Sequence, residues 1–403
     1  MRLTSAPNSQ PGFCFLVRKD APQDERFASA FDILAAAIAA RAFPACSVAV
    51  TYRGDLVANK ALGRFTYDVS SPAVSSASIF DLASLTKVVA TTTMAMILYE
   101  RGVLDLETPV TAIVPEFAAS EFAEKAARRS EVTLRMLLAH SSGLPAYEKL
   151  FLRAKTREEL LRAALATELT AAPGTRAEYS DIGFIILVIA LERLADEPLD
   201  RFCQREVFGP LAMSHTTFNP AKTLRENIPP TADECGAGAL ARDIANPATS
   251  TLSTFRGRII QGEVQDENAS VLGGVAGHAG LFSTADDLAR FAHAMLNGGH
   301  PILRADTVDL FTRRESTPAG TSRALGWDTP SAPSQSGKHF SARSFGHLGY
   351  TGTSLWMDPQ RQLSIVLLTN RTWPDCQNQA IQQVRPAFHD AVLETLEKVG
   401  KGD

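Results

Sequence analysis

The spacing of apolar residues changes along the chain, and each change marks a different kind of element. In "DERFASAFDILAAAIAARAF" Phe, Leu and Ile recur at three- and four-residue steps, which predicts an amphipathic helix. "ACSVAVTYRGDLVANKALG" alternates instead, which predicts two strands joined at Arg53, Gly54 and Asp55. That Arg-Gly-Asp triplet reads as a hairpin turn rather than an adhesion motif, because glycine supplies the backbone freedom of a tight turn. Over residues 80–102, "FDLASLTKVVATTTMAMILYERG" is rich in Ala, Leu, Met and Ile and apolar on nearly every side. It predicts one long buried helix that stops at Gly102.

From 80 to about 215 the pattern stays mostly helical. "EVTLRMLLAHSSGLP" predicts a helix starting at Thr133 and ending in the Ser-Gly-Leu-Pro loop, and "SDIGFIILVIALERLADEP" predicts a strongly apolar one. Residues 218–260 show little regular pattern. A glycine-rich loop in "LGGVAGHAGLFSTADDLARFAHAMLNGG" then leads into a helix capped near Ser283 or Thr284, with Asp286 and Asp287 in its first turn. "SFGHLGYTG" and "TSLWMDPQRQLSIVLLTNR" return to strands, the latter folded back at "MDPQRQ", and residues 377–398 predict a closing helix.

Strands near both ends therefore flank a helical middle. The expectation is an α+β fold: one antiparallel sheet built from both ends of the chain, flanked by the N- and C-terminal helices, with a mostly helical part inserted. Its sheet part covers about 25–80 and 285–395 and its helical part about 81–284. Residues 1–24 read as a loose leader and 396–403 as a tail. A site is expected in the cleft between the two parts.

Composition narrows the function classes. The 403 residues are 45% hydrophobic and 21% charged with a net charge of -4, which suits a globular chain with a large core and gives no basic surface for nucleic acid. No uninterrupted apolar run reaches the roughly eighteen residues of a spanning helix, so no membrane partner is expected. "GFCFLV" is too short for a secretory h-region, which points to the cytoplasm. Five scattered cysteines lack zinc or redox spacing and read as free thiols. The eight histidines show no ligand spacing, so neither metal nor cofactor is expected. "GGVAGHAG" lacks the Lys-Ser/Thr of a phosphate loop, and "WPD" at 373–375 lacks the Cys-x5-Arg partner of a phosphatase.

Ser84 and Lys87 stand three residues apart near the head of the buried helix, on one face. A serine hydroxyl needs a base beside it, and a lysine whose pKa falls on burial supplies one. A helix N-terminus also offers N–H groups to an oxyanion. The alternative is a capping serine and a snorkelling lysine. Tyr179 in "PGTRAEYSDIGF" reads as a proton shuttle if basic groups flank it, or otherwise as an amphipathic tyrosine at a domain edge. His347 precedes Gly349 on a strand where a substrate backbone can approach, with the N–H of Tyr350 as a second oxyanion donor; a packed histidine is the plain alternative. His278 reads as a residue of the cleft mouth or a loop. Asp266, Glu267 and Asn268 read as a site border or a solvated acidic loop.

Together, Ser-x-x-Lys, Tyr-Ser-Asp and His-Leu-Gly in this order resemble the penicillin-recognising serine hydrolases. These include class C β-lactamases, serine D-alanyl-D-alanine carboxypeptidases and family-VIII-type esterases. "FDLASLTKV", "VTLRMLLAHSSGLP", "GHAGLFSTADDLARF" and "GHLGYTGTS" extend the likeness over about residues 30–395. The resemblance implies a β-lactamase/transpeptidase-like fold. It implies Ser84 as acylated nucleophile, Lys87 as its base, Tyr179 as second proton-transfer residue, and the amides of Ser84 and Tyr350 as oxyanion hole. Asp181, His347, Gly349 and His278 are then candidate substrate contacts. Two positions depart from the family pattern. His347 stands where lysine is usual, which weakens binding of a substrate carboxylate and favours esters. Asp181 stands where asparagine is usual, which removes an amide donor and places a negative charge near Lys87. The expected substrate is a small ester, amide or β-lactam, with carboxylesters first. Peptidase or β-lactamase activity comes next, and a non-catalytic binding or sensor protein is the rival from another class.

Overall fold

The computed structural model describes residues 23–119, 123–235, 255–374 and 376–399. In chain order its strands are β1 (Ala45–Tyr52), β2 (Asp55–Gly63), β3 (Phe80–Asp81), β4 (Thr217–Phe218) and β5 (Ala232–Asp233). They continue with β6 (Ile259–Ile260), β7 (Leu281–Ser283), β8 (Phe345–Leu348), β9 (Ser354–Asp358) and β10 (Leu363–Thr369). The helices used below are α1 (Ala28–Ala39), α2 (Thr93–Glu100), α3 (Asp181–Ala195), α4 (Ala285–Leu296) and α5 (Ile381–Val399).

A five-stranded antiparallel sheet ordered β2-β1-β10-β9-β8 joins the two ends of the chain. Strand alternation sorts its side chains between two cores. Val48, Val50, Ile365 and Leu367 pack with Phe31 and Leu34 of α1 and with Phe388 and Val392 of α5. Ala49, Val366 and Leu368 face the other way, toward Leu288, Phe291 and Ala292 of α4 and the helical part. The mixed helix and antiparallel-sheet architecture is thus the one the pattern implies. Arg53 and Gly54 both take positive φ, 51° and 90°, the tight hairpin turn expected between β1 and β2.

Three local expectations change. Residues 80 and 81 are not helical: β3 pairs with β7 and β7 with β4, and tertiary pairing overrides local helix preference there. The helix begins after Ser84, with a π-helical turn over Lys87–Thr92 ahead of α2. Gln23 and Asp24, placed in the leader, belong to the helical turn Gln23–Arg26, and they bond Asn59 and Lys60 of β2. Of the irregular stretch 218–260, residues 236–254 lie outside the described residues, as do 1–22, 400–403 and Asp375 of the "WPD" word. The rest of that stretch carries β5, β6 and a 3-10 turn, Lys222–Asn227. No helix among the described residues is long and apolar enough to cross a membrane.

Candidate active site

Ser84 sits in the tight turn between β3 and the helix. Ala83 before it takes φ 47°, a left-handed conformation that costs a non-glycine residue. Asp81 holds the turn: its carboxylate accepts the N–H of Ala83 at 2.8 Å and of Gln265 at 2.7 Å. Burial, partly offset by those two bonds, raises the Asp81 pKa to about 6. The loop after β8 is stapled to the same turn, since the hydroxyls of Thr351 and Thr353 donate to the carbonyls of Asp81 and Leu82 at 2.8 and 3.0 Å. Tyr350 is thereby carried alongside Ser84. Among the described residues, no backbone carbonyl takes the N–H of Ser84 or of Tyr350.

Lys87 is fully buried. Its ammonium has three protons and meets three acceptors: Ser84 Oγ at 3.0 Å, Asp181 Oδ1 at 2.6 Å and the His278 carbonyl at 3.1 Å. It also lies 4.7 Å from the Tyr179 ring centre and 5.6 Å from that of Phe184. The sequence reading asked for a lysine of lowered pKa, and the structure corrects this. Burial does push the amine down, but the Asp181 carboxylate and Tyr179 outweigh it and hold Lys87 above its ordinary value.

Ser180 caps α3, accepting the Gly183 N–H at 3.0 Å and donating to the Pro145 carbonyl at 2.7 Å. The cap sets Tyr179 and Asp181 on either side of Lys87. The Tyr179 hydroxyl donates to Ser84 Oγ at 2.8 Å. Burial, then Asp181, raises its pKa to about 12 against the opposing pull of Lys87. The basic flanks asked of this tyrosine are present. Lys87 stands on one side, and His140 lies 4.7 Å and His347 5.9 Å away, ring to ring.

His347, which stands where a lysine is usual in the family, carries no charge here. It is buried, and its Nδ1 donates to the Leu348 carbonyl at 2.8 Å, which leaves Nε2 as the unprotonated nitrogen. Burial first, then Lys87 and Arg323, hold its pKa well below the usual histidine value. Gly349 has a packing reason of its own. A Cβ there would stand 1.9 Å from Thr353 Oγ1 and 2.5 Å from the Leu82 carbonyl, so only glycine lets the loop press on the nucleophile turn. Gly277 in the glycine-rich loop is similar, with the Phe184 carbonyl 2.3 Å from where its Cβ would be.

His278 is buried and pairs through Nε2 with Asp266 Oδ1 at 2.8 Å, while Asp266 also caps Glu267–Val271 through the Ala269 N–H at 2.7 Å. Asp266 and Glu267 line the cavity. Burial, then Asp266, lifts the Glu267 pKa to about 7. Asn268 does not reach the cavity; it staples the 148–151 loop through Phe151 N and the Glu148 carbonyl. Among the described residues no three His, Cys, Asp or Glu side chains gather as a metal site.

These residues surround a cavity of about 1070 Å³ lined by Ser84, Tyr179, Asp181, His278, His347 and Tyr350. Sequence reading missed four basic residues around it. His140 accepts the Ser180 N–H at 3.0 Å and stacks on Phe184, backing the tyrosine. Arg323 lies 5.4 Å from the Tyr179 ring and pairs loosely with Asp328 at 3.6 Å. Arg371 lies over the Tyr350 ring at 4.5 Å and donates to that residue's carbonyl at 2.7 Å. Arg385 bonds Gln335 at 2.9 Å and leaves its Nε without a partner. Only the "AHSSG" loop of His140 carried a sequence signal, within one of the words that resemble the family.

A family model described as Beta-lactamase matches residues 31–385. The N-acetylmuramyl-L-alanine amidase of Bacillus subtilis (strain 168) is 33% identical over 310 residues, 73% of this chain and 68% of the relative. A putative D-alanyl-D-alanine carboxypeptidase of Escherichia coli (strain K12) is 32% identical over 314 residues, 73% of this chain and 69% of the relative. Among solved structures, EstCE1, a hydrolase with promiscuous acyltransferase activity, superposes with a TM-score of 0.72 at 22% identity, covering 92% of this chain and 99% of that one. The octameric penicillin-binding protein homologue from Pyrococcus abyssi gives 0.67 at 18% identity, covering 91% and 77%. At such identities these two likenesses establish the fold.

Proposed function

The chain belongs to the beta-lactamase family, and from that premise we propose that it is a serine hydrolase that forms an acyl-enzyme on Ser84 and cleaves an amide or ester bond in a small, carboxylate-bearing substrate. The observation that carries this reading is the cavity. Ser84, gripped by Lys87 and Tyr179, shares it with Arg323, Arg371 and Arg385. Arg371 and Arg385 are both buried and have no carboxylate partner among the described residues. Buried cations without counter-charge are costly, and a bound anion relieves that cost. The sequence argument for esters was the missing cation at 347; three arginines from elsewhere in the chain supply positive charge to the same space. Relatives named for N-acetylmuramyl-L-alanine and D-alanyl-D-alanine support amides of carboxylate-bearing small peptides as the first substrates to try. Esters are the second reading, supported by the neutral His347 beside Tyr179.

In this mechanism Ser84 Oγ attacks the carbonyl carbon and its proton passes into the Lys87–Tyr179 couple. The tetrahedral oxyanion lies on the N–H groups of Ser84 and Tyr350. Collapse breaks the C–N or C–O bond, and the leaving group takes its proton from Tyr179. Water then attacks the acyl-enzyme, giving up a proton along the same route, and frees Ser84.

The test is turnover of N-acetylmuramyl-L-alanyl peptide, D-alanyl-D-alanine peptide and p-nitrophenyl butyrate by wild type and Ser84→Ala, with intact-protein mass spectrometry alongside. Turnover lost in the variant, with a substrate-derived mass on Ser84 in the wild type, is the expected result. Full activity in Ser84→Ala would sink the mechanism.

A further inference from the structure

Asp181 has no role in the mechanism above, yet it makes the shortest of the three hydrogen bonds of Lys87. Its Oδ1 lies 2.6 Å from Lys87 Nζ, with the lysine side chain fully buried and the aspartate 17% exposed. The ammonium is saturated, because Ser84 Oγ and the His278 carbonyl take its other two protons. An amine held in this way has every proton engaged and a counter-ion in contact. It is the acid form of the couple, and the reaction needs the base form.

We propose that Asp181 is a positioning residue that acts through Lys87: its carboxylate keeps the lysine in the ammonium form and so sets the pH at which Ser84 becomes nucleophilic. The proposal rests on the acyl-enzyme reading of Ser84 and goes beyond it by naming what controls the base.

Every charged or titratable group facing Lys87 bears on this. Asp181 and Tyr179 come from the head of α3, and Asp266 and His278, paired to each other, from the segment before β7. His347 comes from β8, Arg323 from the loop before it, and His140 from the loop after Leu134–Leu138. Arg323 opposes a charge on Lys87. His140 and His347 are held neutral by burial and by Lys87 and Arg323 themselves. Asp266 favours the ammonium and is itself lowered by His278, the Ala269 N–H and Lys87 against its burial. Asp181 is the carboxylate in direct contact, and it also raises the pKa of Tyr179. Its removal moves both members of the couple in the same direction, downward.

The sign follows. While Lys87 is held above its ordinary value, the fraction of free amine grows about tenfold per pH unit through the neutral and alkaline range. With asparagine at 181, burial and Arg323 act on a lysine that has lost its nearest counter-charge, and the base form arises at lower pH. Asparagine keeps the shape of the side chain, and the backbone N–H of 181, which donates to the Ala146 carbonyl, is unchanged.

The experiment measures the rate at which a fluorophosphonate probe labels Ser84, by intact mass, from pH 6 to 11. In this step the Oγ–P bond forms, P–F breaks, fluoride leaves and the serine proton passes to Lys87. Wild type, Asp181→Asn, Asp181→Glu and the unlabelled control Ser84→Ala are compared. The expected wild-type rate climbs across the whole range. In Asp181→Asn the limb moves down by about one pH unit or more, with labelling about tenfold faster at neutral pH. Asp181→Glu, which restores a carboxylate, keeps the high-pH limb. Superimposed profiles for wild type and Asp181→Asn would overturn the proposal while leaving the acyl-enzyme reading intact. No label on wild-type Ser84 would overturn both.

Discussion

Glu234 and Asp181 line one cavity, each paired with a cation whose side chain is buried, and the two pairs differ in what they can do. Arg256 and Glu234 are 4% and 3% exposed, Lys87 and Asp181 0% and 17%. In the first pair Arg256 contacts Glu234 Oε1 through Nε at 3.0 Å and Nη2 at 2.8 Å and gives two further protons to the carbonyls of Val264 and Gln265. It clamps the segment that leads into Asp266. A guanidinium does not give up a proton in a protein, so this pair is a fixed strut. In the second pair the cation is an amine, which does, and one of its protons lies on the nucleophile. Similar burial thus yields a structural clamp in one place and an acid–base group in the other. The difference lies in the chemistry of the cation and in what shares its protons.

Breaking the second pair at the lysine should have the largest effect. Lys87→Met fills the same apolar slot but removes the proton acceptor beside Ser84. The rate of fluorophosphonate labelling should fall by about 10³-fold, the scale of a lost general base. A fall of less than about tenfold would assign the base to Tyr179 alone, and the comparison would lose its catalytic half.

Breaking the first pair should cost stability instead. Glu234→Gln keeps the shape and leaves Arg256 buried without its counter-charge, a loss of about 3 kcal/mol in urea denaturation. Labelling of Ser84 in the folded fraction should keep the wild-type pH profile, because the clamp shares no proton with the nucleophile. A shifted profile would mean that the two pairs are coupled through the Gln265–Asp81 bond, 2.7 Å long.

The same contrast marks what was legible in the chain. The sheet drawn from both ends, α1, α3, α4 and the start at Thr133 all follow from apolar spacing and capping residues, which are local signals. Ser84, Lys87 and Tyr179 were nominated by residue chemistry and then by the words that resemble a family, and the fold brings Lys87 Nζ and the Tyr179 hydroxyl within 3.0 Å of Ser84 Oγ. The charge on Lys87 was misjudged although Asp181 was expected near it, because whether that carboxylate outweighs burial depends on direct contact, here 2.6 Å, which spacing along the chain does not show. The start of the long helix was placed early because β3 exists only through its pairing with β7. Arg323, Arg371 and Arg385 had no motif to announce them. Each comes from a different loop or helix and joins the site through tertiary packing alone.

The smallest expected effect sharpens the comparison from the aspartate side. Ser180 Oγ caps α3 by accepting the Gly183 N–H at 3.0 Å, and so fixes the first turn that carries Asp181. Ser180→Ala should cost about 1 kcal/mol of stability, the usual price of a lost N-cap. The hydroxyl also ties the turn to the Pro145 carbonyl at 2.7 Å, so its loss frees Asp181 to move relative to Lys87. The consequence runs one way only. A looser ion pair holds the ammonium less firmly, so the labelling limb should slide toward lower pH by less than in Asp181→Asn. A cap variant that loses stability but keeps the wild-type limb would show that Lys87 holds Asp181 in place by charge alone. The positioning would then belong to the pair itself and not to the helix that presents it.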